Sequence, residues 1–464
     1  MNDISAATAH DTASFDLLIL GDGASAALVA LRALRQAAAG TRIGLVGPDT
    51  PGLGIAYATD DLAHRLNVPA GKMSALAEVP GDFVDFLKAA GLADDAAGDA
   101  LATRYVPRAW YGVYLQARLA DAVAASTATF EHIAQRAVRL SGVAGRRQVT
   151  LADGAVLTAS RVVLALGNAL RPLPLAGADA LPAAQSIGAW DVPALRAIHR
   201  DADVLVVGTG LTLADVVLTL RGQGHRGRIH AVSRHGLLPL PHAPATPWAF
   251  DAQALLAQPL RERVRALRTE VAAAVAVGQP WQAVFEAIRP LGVRLWTSLS
   301  QADQRRFLRH VVRLWDVHRH RIAADVDAVL QAALADGQLV VQAGGVRDLL
   351  RSADGRLQVT LGQGGSCCVD VLINATGLQV QVARMDDPLI AGLLADGLAV
   401  PGPHGLGLAV DVDAEGVARL RDAQGRMQDD LSLVGSLRLG AQWETIAIPE
   451  LRVQAAATAA AVLS

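Results

Sequence analysis

Glycines at a fixed spacing, set between an apolar run and a helix-like segment, are the residues of this chain best suited to hold a ligand. Gly21, Gly23 and Ala26 follow the apolar residues 17–20. In such a turn the first glycine permits the sharp bend, the second lets a diphosphate approach the backbone, and a small third residue lets the helix pack close to the strand. The diphosphate then lies on unpaired N–H groups at the positive end of the helix dipole. The spacing predicts a dinucleotide site, and an ordinary glycine turn between a strand and a helix is the alternative.

A second and looser copy of the turn lies in the middle of the chain. Residues 203–220 again predict a strand, a turn with Gly208 and Gly210, and a helix, but Leu213 stands at the third position. Thr212 falls early in that helix, where its hydroxyl can cap the helix or contact a ligand. Two nucleotide units in one chain predict two nucleotides, FAD and NAD(P)H.

The residue that ends the second strand of such a unit normally contacts the adenosine ribose. Strand 41–46 ends in Gly47 rather than in an acid, which leaves Asp49, after a proline turn, as the candidate. Strand 228–232 is followed by Arg234, and an arginine there can bind the 2′-phosphate of NADP. A solvated arginine at a strand end is the alternative interpretation of Arg234.

Three further buried strands each end in a glycine that can carry the chain back across a cofactor. These glycines are Gly167, Gly377 and Gly435. A helix-like segment follows the last of them. Its backbone N–H groups and its dipole would stabilise a reduced, anionic flavin at the pyrimidine end.

The order of these parts predicts an α/β fold with two Rossmann-like dinucleotide-binding domains and an added helical segment. The FAD domain is expected to be discontinuous, with residues 1–195 as its first part and 341–464 as its second. The NAD(P) domain, residues 196–340, is inserted between them. Within it, residues 248–336 repeat Leu and Val at three- and four-residue spacing, which predicts amphipathic helices.

Composition narrows the partners and the compartment. A net charge of −2 over 464 residues gives no electrostatic reason to expect nucleic acid or anionic lipid as a partner. The only cysteines, Cys367 and Cys368, suit a reducing compartment, and residues 1–15 lack the pattern of a signal peptide, so a cytoplasmic protein is expected. No apolar run reaches the roughly 20 residues that span a membrane. His318 and His320 lack a cluster of further ligands, so no metal site is predicted. Structural hydrogen bonds or a solvated face is expected for them, and an Arg/His cluster that binds an anion is the alternative. The oligomeric state stays open.

Longer motifs extend the pattern over nearly the whole chain. They are GDGASA (21–26), GLGIAYATDDLAHRLNVPAGKMSAL (52–76), YVPRAWYGVYL (105–115), VVGTGLTLADV (206–216), FLRH with DVHRHR (307–321), INATG (373–377) and WETIAIPELR (443–452). With them the chain resembles the two-dinucleotide FAD/NAD(P)-binding flavoproteins that are related to flavin-dependent monooxygenases with a separate nicotinamide domain. Gly47, where this family more often has an acid, and Ala26, in place of a third glycine, depart from its pattern. One bacterial branch that the chain resembles is the FAD-dependent urate hydroxylase, which converts urate into 5-hydroxyisourate with NAD(P)H and O2.

The resemblance implies hydride transfer from NAD(P)H to FAD, followed by insertion of oxygen from O2 into a small-molecule substrate, with urate as the first candidate. Urate is a flat anion at neutral pH, so an amide and an arginine near the flavin would suit it. Asn67 and Arg438 are the candidate catalytic residues, because each lies in a loop expected beside the flavin. A purely structural role is the alternative for both. Asn67 and Glu444, which lies in the last motif, are also candidate cofactor-binding residues.

Two other functions fit the same residues. A flavin reductase or dehydrogenase would use both nucleotides without inserting oxygen, and its consumption of NAD(P)H would not depend on an oxidisable organic substrate such as urate. A non-catalytic flavin protein would be a redox-responsive binding module. It would hold a yellow cofactor that NAD(P)H does not bleach under anaerobic conditions.

Overall fold

The structure is a computed structural model that describes residues 13–93 and 100–464. Residues 1–12, which form most of the segment without a signal-peptide pattern, lie outside the described residues. No helix within the described ranges combines the length and the apolar character needed to cross a membrane.

Strands and helices alternate through the first part of the chain and again in the middle. The strands are β1 (Ser14–Leu20), β2 (Arg42–Val46), β3 (Thr129–Ile133), β4 (Ala137–Val143), β5 (Arg146–Leu151), β6 (Val156–Leu164), β7 (Ser186–Gly188), β8 (Val204–Val207), β9 (Ile229–Ser233), β10 (Leu339–Ala343), β11 (Val346–Arg351), β12 (Leu357–Leu361), β13 (Ser366–Val369), β14 (Val371–Asn374), β15 (Val410–Val412), β16 (Ala418–Arg421) and β17 (Met427–Leu433). The helices are α1 (Ala24–Gln36), α2 (Gly54–Tyr57), α3 (Asp82–Ala89), α4 (Ala100–Thr103), α5 (Arg108–Ala125), α6 (Val192–Ala197), α7 (Leu211–Gly222), α8 (Ala252–Ala257), α9 (Leu260–Ala276), α10 (Gln282–Ile288), α11 (Gly292–Thr297), α12 (Gln301–Arg306), α13 (Val312–Arg319), α14 (Ala324–Ala335), α15 (Pro388–Ala395) and α16 (Ile448–Leu463).

The first sheet is built around β1, whose apolar residues 17–20 are buried on both faces. β1 pairs in parallel with β2 and β6, and the sheet continues in parallel to β3 on one side and to β17 on the other. β16 and β15 extend the β17 edge, and the β4–β5 hairpin pairs with the first half of β6. Helices α1, α5 and α16 cover one face, while the hairpin and α15 cover the other. Because a parallel sheet needs cover on both faces, segments from the two ends of the chain share this core.

The second sheet has the strand order β10-β9-β8-β14-β7, and every pair in it is parallel. Helices α6, α7 and α14 pack on one face, and the small antiparallel sheet β11–β13 packs on the other. The predicted α/β fold with two Rossmann-like units is confirmed. The strands β7 and β14 lie outside residues 196–340. The three-part division at 195 and 340 therefore stays a prediction, and we propose that the inserted unit extends on both sides to include these two strands.

The predicted helical segment is present as α8 to α14, between β9 and β10. An aromatic cluster fixes part of it against the C-terminal region. The rings of Trp296 and Trp443 lie 5.2 Å apart, and Phe307 lies 5.6 Å from Trp443. The Trp296 indole N–H also donates a hydrogen bond of 2.9 Å to the carbonyl oxygen of Gly440. The helical segment is thus placed beside the end of β17 and the start of α16.

Candidate active site

The first glycine turn has the geometry that a diphosphate requires. Gly21 has a φ of +122°, and a Cβ atom there would lie 2.2 Å from the carbonyl oxygen of Ala165. Gly23 is the N-cap of α1 and makes no side-chain cap, so the first-turn N–H groups face outward without a partner from a capping side chain. Ala26 is fully buried against the strand. These residues fit a dinucleotide phosphate, because the amide groups are bare and no side chain fills the turn.

The second turn repeats this geometry closely. Gly208 has a φ of +119°, and a Cβ atom there would lie 2.0 Å from the carbonyl oxygen of Ala375. Gly210 is the N-cap of α7, again without a side-chain cap, and has open space where its Cβ would be. Leu213, at the looser third position, is fully buried. The second unit therefore offers the same uncapped helix start to a second diphosphate.

Thr209, which the sequence pattern did not indicate as a site residue, connects the second turn to β9 through hydrogen bonds. The Thr209 hydroxyl donates a 2.6 Å hydrogen bond to the carbonyl oxygen of Leu237 and lies 2.8 Å from the Ser233 hydroxyl. Thr212, the residue singled out instead, is the second residue of α7 and is half-buried. Its contact with a nucleotide stays a prediction.

The three glycines that end later strands lie close to the two turns. The loops after Gly167 and Gly377 run antiparallel, with hydrogen bonds from the Arg171 amide to Gly377 (3.1 Å) and from the Gln379 amide to Ala169 (2.8 Å). The Ser436 hydroxyl donates to the carbonyl oxygen of Gly167. The structure therefore joins the two nucleotide units where their strands end, as expected for two ligands that must meet.

Gly435 lies against the first turn of α1. A Cβ atom there would come within 2.9 Å of the Ser25 hydroxyl oxygen, and the Gly435 amide donates to Gln454 at 3.0 Å. The start of α16 therefore lies near the first nucleotide turn. A cofactor that contacts both the turn and α16 would need this placement. Binding by Gly167, Gly377 and Gly435 themselves remains a prediction.

A buried ion pair fixes the first unit against the second. Arg108, at the start of α5, donates hydrogen bonds of 2.8 and 2.7 Å to the two carboxylate oxygens of Asp215 in α7. Beside it, the His64 Nε2 lies 2.8 Å from the Thr219 hydroxyl, which donates to Asp61 at 2.7 Å. Burial alone would raise the pKa of Asp61, but hydrogen bonds from Thr219 and the backbone lower it overall. These contacts hold the two nucleotide units in one relative orientation.

The two candidate catalytic residues lie in different surroundings. Asn67 has an exposed side chain, and its carbonyl oxygen accepts a hydrogen bond of 3.1 Å from His242. Arg438 is 1% exposed, and its Nη2 donates to Gly416 (2.9 Å) and Gln442 (2.6 Å). Burial lowers the pKa of Arg438 to about 10. No hydrogen bond among the described residues joins Asn67 to Arg438, so their shared role in catalysis stays a prediction.

Glu444 is engaged by the helical segment. Its carboxylate accepts a 2.7 Å hydrogen bond from the Trp315 indole and pairs with Arg319 at 3.0 Å. The residue has a φ of +65°, which is rare for a side chain that is not glycine and marks a constrained position. Contact of Glu444 with a cofactor stays a prediction, and its carboxylate is engaged by these two partners and by His320, whose Nε2 lies 3.7 Å away.

A cluster of charged and aromatic residues lies beside Asn67, and three of the sequence motifs contribute Lys72, Tyr105 and Arg321 to it. The cluster, called here the Arg321 cluster, consists of Lys72, Tyr105, His242, Glu286 and Arg321. Arg321 is 2% exposed and hydrogen-bonds to Glu286, while its Nε and Nη1 have no partner among the described residues. Lys72 lies 3.8 Å from Glu286, and the rings of Tyr105 and His242 stack at 4.7 Å.

Burial sets the charge states within the Arg321 cluster. It lowers the pKa of His242 to about 4, helped by the charge of Arg321, so this ring is neutral at pH 7. Burial raises the pKa of Tyr105 to about 12, so the phenol keeps its proton. Burial alone would raise the pKa of Glu286, but the hydrogen bond from Arg321 and its charge lower this pKa overall. Two cations, Lys72 and Arg321, therefore lie with one carboxylate and two neutral rings, and Arg321 keeps two donor nitrogens without partners among the described residues. Such an environment suits a small anion or a polar ring.

Arg234 is exposed directly after β9 and belongs to a basic region. Burial lowers the pKa of Arg171, and the charges of Arg313, Arg234 and Arg384 lower it further. These three arginines act on Arg171 because their charges lie near it, and a bound anion would relieve the repulsion. The placement agrees with the predicted phosphate contact of Arg234, which stays a prediction.

Replacement of Arg234 tests this contact. Arg234→Ala is expected to weaken NADPH binding about tenfold, because a hydrogen bond to a charged group contributes about 1.5–3 kcal/mol and this site is exposed. NADH, which lacks the 2′-phosphate, should be unaffected. The measurement is the concentration dependence of anaerobic flavin reduction with each nucleotide. Arg228→Ala, at the opposite end of β9, is the matched control, and equal losses for NADPH and NADH would contradict the assignment.

Comparison with known families supports the nucleotide assignment. Residues 18–169 match a protein family described as FAD-NAD(P)-binding. That range contains the first glycine turn, and the predicted cofactors, FAD and NAD(P), are confirmed at the level of this family. No curated protein matches the sequence.

Solved structures share the fold over nearly the whole chain. The ornithine N-hydroxylase of Kutzneria sp. 744, solved with reduced FAD, NADP+ and L-ornithine, has a TM-score of 0.65 at 15% identity, with 97% of this chain and 99% of that one covered. The ornithine hydroxylase of Pseudomonas aeruginosa has a TM-score of 0.64 at 14% identity, with the same coverage. The L-lysine 6-monooxygenase of Pseudomonas syringae has a TM-score of 0.62 at 17% identity, with 97% of this chain and 99% of that one covered. The chain therefore has the fold of these amino-acid hydroxylases, and its residues 18–169 match the FAD-NAD(P)-binding family.

Proposed function

We propose that this protein is a FAD-dependent, NAD(P)H-using monooxygenase. The observation that carries the proposal is the pair of uncapped glycine turns, at Gly21 and Gly208, whose strand-end loops are hydrogen-bonded to each other through residues 169–171 and 377–379. One chain then holds two dinucleotides with their reactive ends directed to a common region. The fold shared with ornithine and lysine hydroxylases supports the same class of reaction.

The protein's own part in this reaction is binding, orientation and exclusion of water. When bound, FAD accepts a hydride from NAD(P)H and supplies the chemistry with O2. The helix starts at Gly23 and Gly210 would hold the two diphosphates, and the ion pair of Arg108 with Asp215 keeps the two units at a fixed angle. The aromatic residues Trp296 and Trp443 provide apolar cover beside the start of α16.

For the substrate we propose urate, on the resemblance to the urate hydroxylase branch. A binding region of suitable chemistry is the Arg321 cluster, because Arg321 offers two buried donor nitrogens without partners among the described residues and His242 is neutral. The overall reaction balances as urate, O2, NAD(P)H and a proton giving 5-hydroxyisourate, NAD(P)+ and water. The competing substrates are L-ornithine, which is present in the structure of the Kutzneria hydroxylase, and L-lysine, after which the Pseudomonas syringae enzyme is named.

The test is a substrate panel with the flavin-loaded protein. NAD(P)H oxidation is followed with urate, L-ornithine, L-lysine or no substrate, and loss of the organic substrate and release of hydrogen peroxide are measured in the same samples. We expect urate to accelerate NAD(P)H oxidation, with one urate consumed for each NAD(P)H. Gly210→Val is the matched control, since open space receives its side chain where the nicotinamide diphosphate would lie. It should keep the yellow cofactor and lose oxidation of NAD(P)H.

The alternatives give different results in this panel. Stimulation by L-ornithine or L-lysine but not by urate would replace the substrate and keep the reaction class. NAD(P)H oxidation that no substrate changes, with all oxygen recovered as peroxide, would contradict the monooxygenase and favour the reductase. A flavin that NAD(P)H does not bleach anaerobically would favour the non-catalytic binding module.

A further inference from the structure

The space beyond the end of β2 is occupied by a side chain from the first glycine turn. A Cβ atom on Gly47 would lie 2.5 Å from the Asp22 Cβ and 2.8 Å from the Asp22 Oδ2. Any side chain at position 47 would therefore collide with Asp22. The absence of an acid at position 47 and the presence of one at position 22 are therefore linked, because the space holds only one of the two side chains.

The Asp22 carboxylate is held in place by the backbone. Its Oδ2 accepts a 2.8 Å hydrogen bond from the amide of Asp49, and the Asp22 carbonyl oxygen accepts one of 2.7 Å from Gly52. The Asp22 side chain is half-buried, whereas Asp49 is exposed. Asp49 thus contributes its amide to the positioning of Asp22, and among the described residues no side-chain donor competes for the Asp22 carboxylate.

Nucleotide units of this kind place a carboxylate at the end of the second strand, where it accepts hydrogen bonds from the adenosine ribose. Gly47 cannot supply one, and the Asp22 carboxylate adjoins the place that a side chain of residue 47 would occupy. We propose that Asp22 binds the hydroxyl groups of the FAD adenosine ribose, in place of an acid at the end of β2. The inference rests on the proposed function, since it assumes that the first unit holds FAD.

The test measures FAD affinity rather than activity. Apoprotein is titrated with FAD, and quenching of flavin fluorescence gives the Kd, while thermal unfolding of the apoprotein reports the fold. Asp22→Ala is expected to raise the Kd about 10- to 100-fold, because hydrogen bonds to a charged group are lost. Asp22→Asn keeps the shape and the hydrogen bond from the Asp49 amide, so it should weaken binding by about three- to tenfold with an unchanged apoprotein melting temperature. Asp49→Ala is the matched control and should stay within about twofold, because it keeps the amide and removes only an exposed carboxylate.

Gly47→Glu, alone and combined with a substitution of Asp22, tests whether an acid at either position can serve the ribose. Gly47→Glu alone should weaken FAD binding, because its Cβ collides with Asp22. The double variant Asp22→Gly/Gly47→Glu removes the whole Asp22 side chain, including the Cβ that causes the 2.5 Å collision, and returns an acid to the strand end. It should therefore bind FAD at least about tenfold more tightly than Gly47→Glu.

The outcomes separate this inference from the proposed function. A wild-type apoprotein that takes up FAD, together with an Asp22→Ala variant of unchanged Kd, would overturn the role of Asp22 and leave the function standing. The role of Asp22 is likewise overturned if Asp49→Ala causes the larger loss, or if the double variant binds no better than Gly47→Glu. A wild-type protein that does not take up FAD would overturn the proposed function itself.

Discussion

Gly23→Val is expected to abolish retention of FAD while the protein still folds. Gly23 has a φ of −73° and a ψ of −173°, which other residues adopt readily, and its Cβ would meet only the Gly54 Cα at 3.7 Å. The protein therefore has room for the first carbon of the side chain, but the diphosphate does not. Loss of two backbone hydrogen bonds to a charged phosphate, at about 1.5–3 kcal/mol each, corresponds to a Kd at least about 100-fold higher.

Absorbance spectroscopy of the purified variant measures this effect. Gly23→Val should be colourless after purification and should melt near the temperature of the wild-type apoprotein. Gly21→Ala is the informative contrast, because its Cβ would lie 2.2 Å from the Ala165 carbonyl oxygen at a φ of +122°. That variant should lose the fold of the first sheet as well as the flavin. A yellow Gly23→Val protein with wild-type FAD content would contradict the diphosphate assignment.

Asp430→Ala is expected to destabilise the first unit by about 3–5 kcal/mol, the usual cost of leaving one partner of a buried ion pair alone. Asp430 accepts hydrogen bonds from Arg147 at 2.7 and 2.9 Å and from the Gly145 amide at 2.9 Å. The Arg147 and Asp430 side chains are 4% and 9% exposed. Urea unfolding followed by far-ultraviolet circular dichroism measures the loss. The double variant Arg147→Met/Asp430→Leu removes both charges and should recover most of the stability.

The same pair has a defined pH dependence. Burial alone would raise the pKa of Asp430, but the hydrogen bonds from Arg147 and Gly145, with the charge of Arg147, lower it below the ordinary value. The folded state therefore binds a proton less readily than the unfolded state, so stability from this group is complete above the unfolded pKa of about 3.9. It should be lost as pH falls below that value. The difference in stability between wild type and Asp430→Ala should accordingly shrink on acidification below about pH 4 and stay constant from about pH 5 to 7.

Local backbone requirements explain which parts of the fold and the site could be predicted from the sequence. Gly21 and Gly208 stand where the chain turns with φ values of +122° and +119° beside a neighbouring carbonyl group, and glycine is the residue that accepts this conformation. The apolar runs before them and the small residues after them mark strand and helix within a few residues. Such features depend on neighbours in the sequence, so the two turns, the α/β fold and the helical segment were all visible in it.

Long-range contacts explain which parts of the site could not be predicted from the sequence. Asp22 and Gly47 meet only because β1 and β2 pair in parallel, and Glu444 meets Trp315 only because the helical segment packs on the C-terminal region. The Arg321 cluster likewise joins separate stretches of the chain. Whether a charged side chain is partnered, buried or free depends on such neighbours, and the sequence pattern does not display them.

The sequence by itself determined the two uncapped nucleotide turns, since bond geometry and steric contact within a few residues dictate glycine there. Only the tertiary structure decided which carboxylate stands at the end of β2, and which buried arginine nitrogens have no partner among the described residues. The physical reason is that the pairing of polar groups depends on distances between strands and helices far apart in the chain, and these distances are set by how the sheets and helices pack.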